Sequence, residues 1–334
     1  MKVIAYEEKH AATWDHFVRA SRNGTFLFQR PFMEYHKDRF EDASLLFLDE
    51  QGSVRGVFPA NVQKNQALVQ SHGGLTYGGL ILGASVQVAE VGEMWRLMVE
   101  RFLESGFRRL QYKPIPYIYH DYPSDEDLYW LFRAGAQLES RALSSAVLLH
   151  NPLHADLWHR KIKRRASEGL QLHEDCWDRL PEFWNIVCEV LETRHHAKPV
   201  HSAEEISLLH DRLPDHVKLF TVTNERDEVI TGAVLFVTRQ VVHVQYMEAG
   251  GEARTRRALD WLIQRLIAYY EQRTVRYFEF GISTERGGLY LNEGLAYQKE
   301  GFGGRGVCYD SYLLDLPQAS AALTQAQPTA LAAE

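Results

Sequence analysis

Residues 241–282 decide the fold, and they read VVHVQYMEAGGEARTRRALDWLIQRLIAYYEQRTVRYFEFGI. An apolar run rich in Val and Tyr ends at Ala249-Gly250-Gly251. We predict a helix that begins near Arg254, because apolar residues in 259–270 recur at the three- and four-residue spacing of one helix face. Residues 275–282 are apolar enough for a strand buried on both faces. The stretch therefore predicts a β-α-β unit whose glycine turn leaves backbone N–H groups free at a helix N-terminus.

Three arginines lie where this helix is predicted to begin: Arg254, Arg256 and Arg257. The helix macrodipole makes a cation in the first turn unfavourable by about 0.3–1 kcal/mol. Arginines at that end are explained if the first turn faces an anion such as a pyrophosphate. The alternative is a solvated helix end that tolerates the cost.

The composition is that of a globular protein: 334 residues, 45% hydrophobic and 24% charged, with a formal net charge of −7. This length allows two cores of ordinary size, and the acidic balance argues against DNA binding. Cys176, Cys188 and Cys308 have no metal or redox spacing, which fits a reducing compartment. We find no signal peptide and no apolar run near the roughly 18 residues of a membrane span, so we expect a cytoplasmic protein without a transmembrane segment.

The two halves of the chain repeat one order of elements: helices, a hairpin, a strand entering a glycine-rich turn, an amphipathic helix, a strand, a short helix and a final strand. The Asn-Pro pair at Asn151 is the best boundary candidate. We predict an α/β (α+β) fold with domains at 1–152 and 153–316, each a mixed, mostly antiparallel sheet flanked by helices. Residues 317–334, low in aromatics, are predicted to be a disordered tail.

The β-α-β unit predicted at residues 241–282 resembles the acyl-donor half of GNAT-type N-acyltransferases, in which a strand, a pyrophosphate loop and a helix hold coenzyme A. Segments along nearly the whole chain resemble Fem-like tandem GNAT proteins of bacterial polysaccharide and cell-envelope clusters. The matching segments are Asn23-Gly-Thr-Phe-Leu, Tyr35-His-Lys-Asp-Arg-Phe, His72-Gly-Gly-Leu-Thr-Tyr-Gly-Gly, Lys113-Pro-Ile-Pro-Tyr, Lys198-Pro-Val-His-Ser and Lys299-Glu-Gly-Phe-Gly-Gly-Arg. The resemblance implies two tandem GNAT-like domains and a donor substrate that is acetyl-CoA or another acyl-CoA. One position departs from it: Arg257 stands where the GNAT phosphate loop usually has a glycine.

The resemblance leaves three functions open. The first is transfer of an acyl group from acyl-CoA to an amine of a small-molecule or cell-envelope precursor, such as an amino sugar or a peptide. The second keeps the fold and takes an aminoacyl-tRNA as the donor, and tRNA is a partner only in this case. The third is a catalytically silent pair of domains that binds a polysaccharide-assembly protein. The acceptor, the acyl chain and the oligomeric state stay open, with a homodimer among the options.

We predict that the donor contacts the end of the first strand and the glycine turn. The predicted donor-binding residues are Met247, Gly250, Gly251, Ala253, Arg254, Arg257 and Ala258. By resemblance to GNAT enzymes, the strand that ends at Met247 separates from its neighbour and exposes a backbone N–H group to the thioester.

Three side chains are candidates for proton transfer. Glu279 lies between Phe278 and Phe280, where burial would raise its pKa into the range of a general base; a structural ion pair with an arginine is the alternative. Tyr246, beside the glycine turn, is a candidate acid for the leaving thiolate or a packed core tyrosine. His201, just ahead of a helix cap, is a candidate base or acceptor contact, or a local structural hydrogen bond.

Two basic segments are predicted to contact the acceptor. The run 159–165 places Arg160, Lys163 and Arg164 on one helix face, where they would hold a phosphate or a carboxylate; a solvated charged face explains the run equally well. Lys299 and Arg305 flank a glycine-rich turn that would face an anion.

Three further residues complete the predicted acceptor site. Asn292 would cap or orient the region before Lys299. His72 and Tyr77, in the first glycine-rich segment, are predicted to line an acceptor cleft, with tight packing of the glycines as the alternative.

The neighbouring histidines His195 and His196 match no helical ligand pair, so we predict no metal.

Overall fold

The computed structural model of the protein describes residues 1–151, 153, 157–158 and 167–325. The chain forms two compact units. The first unit comprises Met1–Ala142, Arg286–Leu289 and the residues from Cys308 onward, and the second comprises Leu143–Glu285 and Tyr290–Val307. Two segments from the second half of the sequence, Arg286–Leu289 and the residues from Cys308 onward, therefore belong to the first unit. The division predicted from the sequence, into 1–152 and 153–316, does not include this exchange.

Strands and helices are numbered here in chain order over the described residues. The strands are β1 (Lys2–Ala5), β2 (Glu41–Asp42), β3 (Leu45–Leu48), β4 (Val54–Phe58), β5 (Asn61–Gln63), β6 (Leu68–Gln70), β7 (Ile81–Leu82), β8 (Arg109–Tyr112), β9 (Gln137–Leu148), β10 (Gln171–Glu174), β11 (Val217–Thr223), β12 (Val229–Val237), β13 (Val241–Ala249), β14 (Tyr277–Ile282), β15 (Thr284–Glu285), β16 (Tyr290–Leu291) and β17 (Arg305–Asp315). The helices are α1 (Ala11–Ala20), α2 (Arg30–Met33), α3 (Val88–Glu104), α4 (Glu126–Arg133), α5 (Leu180–Val190), α6 (Ala203–Arg212), α7 (Gly251–Arg256), α8 (Ala258–Tyr270), α9 (Glu293–Glu300) and α10 (Leu316–Gln325).

The first unit contains two groups of strands packed with helices. One group has the antiparallel order β1-β3-β4-β7. In the other, β2, β5 and β6 pair antiparallel, β6 and β8 pair parallel, and β8 pairs antiparallel with the end of β17. Helix α3 forms because Val91, Met94, Trp95 and Met98 share one apolar face, and that face is buried in the core.

Helix α10 covers part of the same core. Its residues Leu316, Ala319 and Leu323 are buried there, at the spacing of one helix face. The predicted disordered tail is therefore wrong for residues 317–325, because an apolar face without aromatics is enough to bind this segment to the core. Residues 326–334 lie outside the described residues.

The second unit is built on the strand order β10-β11-β12-β13-β14, followed by the end of β9. Every neighbouring pair is antiparallel except β13 and β14, which are parallel. Helix α8 packs against β12 and β13 through Leu262, Ile263, Leu266 and Ile267, and α5 also packs against these two strands. Each unit thus combines mostly antiparallel strand pairing and one parallel pair with flanking helices, as the sequence predicts, although the strands of the first unit form two groups and not a single sheet.

Strands β13 and β14 separate partway along their length. Their pairing ends at His243 and Glu279, whereas β13 continues beside β12 as far as Ala249. A register shift in the β12–β13 pairing leaves Gln245 outside the ladder. The separation leaves one edge of β13 without a strand partner among the described residues beyond His243, and this fork positions the candidate site.

None of the helices in the described part of the chain has both the length and the apolar character needed to cross a membrane.

Candidate active site

A cavity of about 650 Å³, here called the main cavity, occupies the fork between β13 and β14. Its walls come from the ends of both strands, from α7, α8 and α9, and from the segment that follows α5. Its polar and charged lining residues are Arg194, Gln245, Tyr246, Glu248, Arg254, Arg257, Asp260, Gln298 and Lys299. All of these residues belong to the second unit.

The helix predicted to begin near Arg254 is in fact two helices. Helix α7 ends at Arg257, whose backbone is left-handed with φ +54°, and α8 begins at the next residue. Arg254 and Arg256 therefore lie in the last turn of α7, where the macrodipole favours cations, so the predicted reason for these arginines is wrong. Arg257 adopts a conformation that glycine reaches most easily, although its side chain is large.

The three arginines differ in their partners. Arg256 forms an ion pair with Glu225 at 2.8 Å and does not line the main cavity. Arg257 lines the cavity, but its Nε lies 2.9 Å from Oδ2 of Asp260. Arg254 also lines the cavity, is exposed, and forms no ion pair with any described residue. Arg254 is therefore the arginine best placed to bind a ligand anion.

The predicted donor-binding residues divide into two groups. Four of them line the main cavity: Met247, Ala253, Arg254 and Arg257. Three of them do not: Gly250, Gly251 and Ala258. Gly251 is exposed and Ala258 is buried in the core against the sheet. The structure thus brings the end of the strand together with Arg254 and Arg257, and donor binding by the glycines stays a prediction.

Glu248 lies on the wall of the main cavity near the end of β13, and it is not among the residues predicted from the sequence. Burial raises its pKa to about 7, and the positive charges of Arg254 and Arg194 act in the opposite direction. A carboxyl group that titrates near neutral pH inside a cavity is suited to general-base catalysis. The available signal is an acidic residue two positions before the glycine turn, whereas the flanking residues Phe278 and Phe280 made Glu279 the predicted base.

Glu279 is fully buried and does not line the cavity. Its carboxylate contacts the hydroxyl of Ser144 and the ring of His243, and it accepts a hydrogen bond from the N–H of Gly281 at 2.9 Å. Burial acts to raise the pKa of Glu279, but the field of His243 and these hydrogen bonds outweigh it and lower the pKa. The predicted rise in pKa is therefore wrong, and the partner is a histidine rather than an arginine.

Tyr246 and His201 form a hydrogen-bonded pair. The hydroxyl of Tyr246 lies 2.8 Å from Nδ1 of His201, and the backbone N–H of His201 donates to the same oxygen at 3.1 Å. Tyr246 lines the main cavity, whereas His201 lines a second cavity of about 760 Å³ between α5 and the start of α6. Burial raises the pKa of Tyr246 and backbone hydrogen bonds partly oppose this rise, so the hydroxyl stays protonated at neutral pH.

Lys299 lies near the end of α9 with 7% of its surface exposed, and it lines the main cavity. Its Nζ donates to the carbonyl oxygens of Gly281 at 2.8 Å and Ile282 at 2.7 Å. Burial lowers the pKa of Lys299 to about 8, and the negative charge of Glu279 acts in the opposite direction. An ammonium group has three N–H donors, so one of them remains for a ligand.

Asn292 and Arg305, two further predicted acceptor residues of the second unit, do not line the main cavity. Asn292 caps α9, as expected, by accepting a hydrogen bond from the N–H of Leu295 at 3.0 Å. Arg305 is exposed and donates to the carbonyl oxygen of Gly304 at 2.6 Å. The predicted contacts Arg160, Lys163 and Arg164 lie outside the described residues.

His72 and Tyr77 belong to the interior of the first unit, with only 4% and 2% of their surfaces exposed. The ring of His72 stacks on His36 with 5.4 Å between centroids, and burial lowers the pKa of His72 to about 3. The hydroxyl of Tyr77 donates to the hydroxyl of Thr25 at 3.3 Å. The packing interpretation of this segment fits these positions, and the acceptor-cleft prediction gains no support from them.

The fold and the fork define a class of protein. Residues 158–288 match the model of the acetyltransferase (GNAT) domain, and they contain β13, α7, α8 and β14. More particularly, the chain as a whole has the fold of the solved Fem-like and tandem GNAT proteins, which confirms the fold that the resemblance implies.

Solved structures share this fold over nearly the whole chain. FemX matches with a TM-score of 0.64 and 12% identity, covering 93% of this chain and 97% of FemX. L-PGS from Bacillus licheniformis matches with a TM-score of 0.57 and 12% identity, covering 95% and 94%. A tandem GNAT protein from the clavulanic acid biosynthesis pathway matches with a TM-score of 0.52 and 10% identity, covering 94% and 98%. No curated protein sequence matches the chain.

Proposed function

We propose that the protein is an N-acyltransferase that moves an acyl group from a donor in the main cavity to an amine. The observation that carries the proposal is the presence of Glu248, Lys299 and Tyr246 on the wall of one cavity, at the fork of a GNAT domain. The acceptor would be an amine of a small-molecule or cell-envelope precursor, such as an amino sugar or a peptide. The reaction would take place in the cytoplasm.

The donor we favour is an acyl-CoA. The edge of β13 beyond His243 has no strand partner among the described residues, so a backbone N–H group there is available to a thioester carbonyl. Arg254 lines the same cavity without an ion pair to any described residue, and it would contact a phosphate of the donor.

The side chains of the cavity supply the remaining steps of acyl transfer. Glu248 would take the proton of the attacking ammonium group, and the amine nitrogen would then form a bond to the carbonyl carbon. The remaining N–H donor of Lys299 would stabilise the negative charge that develops on the carbonyl oxygen. The carbon–sulfur bond would then break, the hydroxyl of Tyr246 would give its proton to the thiolate, and the second proton lost by the amine nitrogen would restore this hydroxyl.

The Fem-like fold favours one alternative donor, an aminoacyl-tRNA, in which the bond that breaks is an ester. Binding of a charged tRNA would depend steeply on salt concentration, because it neutralises phosphates. Protection of a charged tRNA from hydrolysis by the protein would favour this alternative.

The proposal is tested by thiol release from acetyl-CoA in the presence of a panel of amino sugars, nucleotide-linked amino sugars and peptides. We expect release by the wild-type protein, loss of release in Glu248→Gln, and wild-type release in the matched control Glu228→Gln, whose side chain is exposed. Absence of both thiol release and coenzyme A binding would falsify the acyl-CoA donor.

A further inference from the structure

Glu279 is a buried carboxylate at the point where β13 and β14 separate. It contacts groups from three places: Ser144 of β9, His243 of β13 and the N–H of Gly281 in its own strand. Replacement of a buried charged pair by apolar residues is often neutral or stabilising, so stability alone does not explain this carboxylate. A buried charge with several fixed partners instead specifies a local geometry.

The geometry that it fixes is a turn in β14. The N–H of Gly281 donates to the carboxylate of Glu279 at 2.9 Å, and Gly281 has φ +79°, a left-handed conformation that favours glycine. A Cβ atom added at Gly281 would meet no atom closer than 3.9 Å. Glycine is therefore needed at this position for its backbone conformation and not for lack of space.

This turn directs two carbonyl oxygens, those of Gly281 and Ile282, at Nζ of Lys299. The carboxylate of Glu279 also favours the charged form of this buried ammonium group through its negative charge. One carboxylate thus acts on Lys299 in two ways, through the backbone of the turn and through the electrostatic field.

We propose that Glu279 is a positioning residue that sets both the location and the charge state of Lys299 in the main cavity. The inference rests on the proposed function, in which Lys299 contacts the acyl carbonyl group. Glu279 itself touches neither the cavity nor the reacting atoms.

The first test measures the pKa of Lys299 in Glu279→Gln. The titration is monitored by NMR of the protein labelled with ¹³C,¹⁵N-lysine. The signal is assigned by its loss in Lys299→Met. Because glutamine keeps the shape and removes the charge, we expect the pKa of Lys299 to fall by about half a unit or more. In the control Glu228→Gln, which removes an exposed carboxylate, we expect no shift.

The second test separates the turn from the charge. Gly281→Ala keeps the carboxylate and strains the turn, whereas the control Gly106→Ala strains a glycine with φ +88° at which an added Cβ atom would meet no other part of the protein within 4 Å. The readout is the rate at which acetic anhydride modifies Lys299 at fixed pH, measured by mass spectrometry. We expect Gly281→Ala to change this rate several-fold and Gly106→Ala to leave it unchanged.

Unchanged titration and unchanged modification of Lys299 in both Glu279→Gln and Gly281→Ala would overturn the proposal. If Glu279→Gln does not fold, as judged by circular dichroism, the result for Gly281→Ala decides. Neither readout uses a donor or an acceptor, so a shifted Lys299 in a protein without transferase activity would support the positioning role and contradict the proposed chemistry.

Discussion

Each unit joins two parallel strands through a helical segment, and the two segments differ. In the first unit, β6 leads to β8 by way of the uninterrupted 17-residue helix α3. In the second unit, β13 leads to β14 by way of α7 and α8, which are separated by the left-handed residue Arg257. The difference extends to the strands, because β13 and β14 separate around a cavity whereas β8 ends in an aromatic core.

Tyr112, the last residue of β8, closes that core. Its hydroxyl donates to Oδ2 of Asp127 at 2.6 Å and accepts a hydrogen bond from the N–H of Leu80 at 2.8 Å. Burial raises the pKa of Asp127 to about 7, which is also the value for Glu248 of the second unit. Asp127 is enclosed and already bonded, whereas Glu248 lines a cavity. A shifted pKa therefore indicates a site only where a ligand can reach the group.

The largest effect on the rate of acyl transfer is expected for Glu248, the proposed general base. Glu248→Gln removes the carboxylate that we propose accepts the ammonium proton, so the rate of acyl transfer should fall by about 10²- to 10⁴-fold. Steady-state rates with the best amine of the panel measure this change. An unchanged rate would show that Glu248, like Asp127 in the first unit, is a carboxyl group with a raised pKa and no role in catalysis.

A somewhat smaller effect on the transfer rate is expected for Lys299, which we propose contacts the acyl carbonyl oxygen. Lys299→Met keeps most of the apolar stem and removes the donor, so kcat should fall by about 10²- to 10³-fold with little change in KM. Arg305→Met is the matched control, because Arg305 is exposed and does not line the cavity. Equal losses in the two variants would contradict the role of Lys299.

Removal of a tyrosine hydroxyl should have different effects in the two units. In the first unit, Tyr112→Phe should lower stability and leave catalysis unchanged. Tyr112→Phe leaves a buried carboxyl and a backbone N–H without their partner, which should lower the free energy of unfolding by about 1–3 kcal/mol. Tyr246→Phe, in the second unit, should lower the transfer rate more than the stability. Urea unfolding and rate measurements on both variants test this contrast, and an inverted pattern would contradict it.

The pH dependence of stability and of the transfer rate should distinguish Glu248 from Asp127, the two carboxyl groups whose pKa values are raised to about 7. The pKa of Glu248 rises from 4.5 to about 7 on folding, so between these values the folded protein keeps a proton that the unfolded chain releases. The free energy of unfolding should therefore fall as the pH rises from about 4.5 to about 7. Asp127 acts in the same direction, from 3.8 to about 7.

The two variants Glu248→Gln and Asp127→Asn should each remove part of this slope in urea titrations. The transfer rate of the wild-type protein should rise through about pH 7 as Glu248 loses its proton. Because Asp127 has no access to substrate, Asp127→Asn should leave the midpoint of the rate profile in place. A midpoint that moves in this variant would contradict the distinction between the two units.

The resemblance to Fem-like proteins implied the class of fold, and the cap at Asn292 was also expected from the sequence. The spacing of apolar residues predicted the β-α-β unit. It could not predict the break at Arg257, because nothing in the local sequence marks a non-glycine residue for the left-handed region. It also misjudged Glu279, whose partners Ser144 and His243 lie 135 and 36 residues away in the chain. Helix periodicity and strand composition are local properties, whereas the pKa of a buried group depends on partners that only the folded chain brings near.

The central claim is that the fork of the second unit binds the acyl donor, and isothermal titration of acetyl-CoA tests it most directly. The variants to compare are Arg254→Glu, which reverses a charge on the cavity wall, and Arg265→Glu, which reverses an exposed charge on α8 away from it. We predict that the wild-type protein and Arg265→Glu bind acetyl-CoA alike, and that Arg254→Glu binds it at least about tenfold more weakly. Equal affinities in all three proteins, or no binding by the wild-type protein, would contradict the claim.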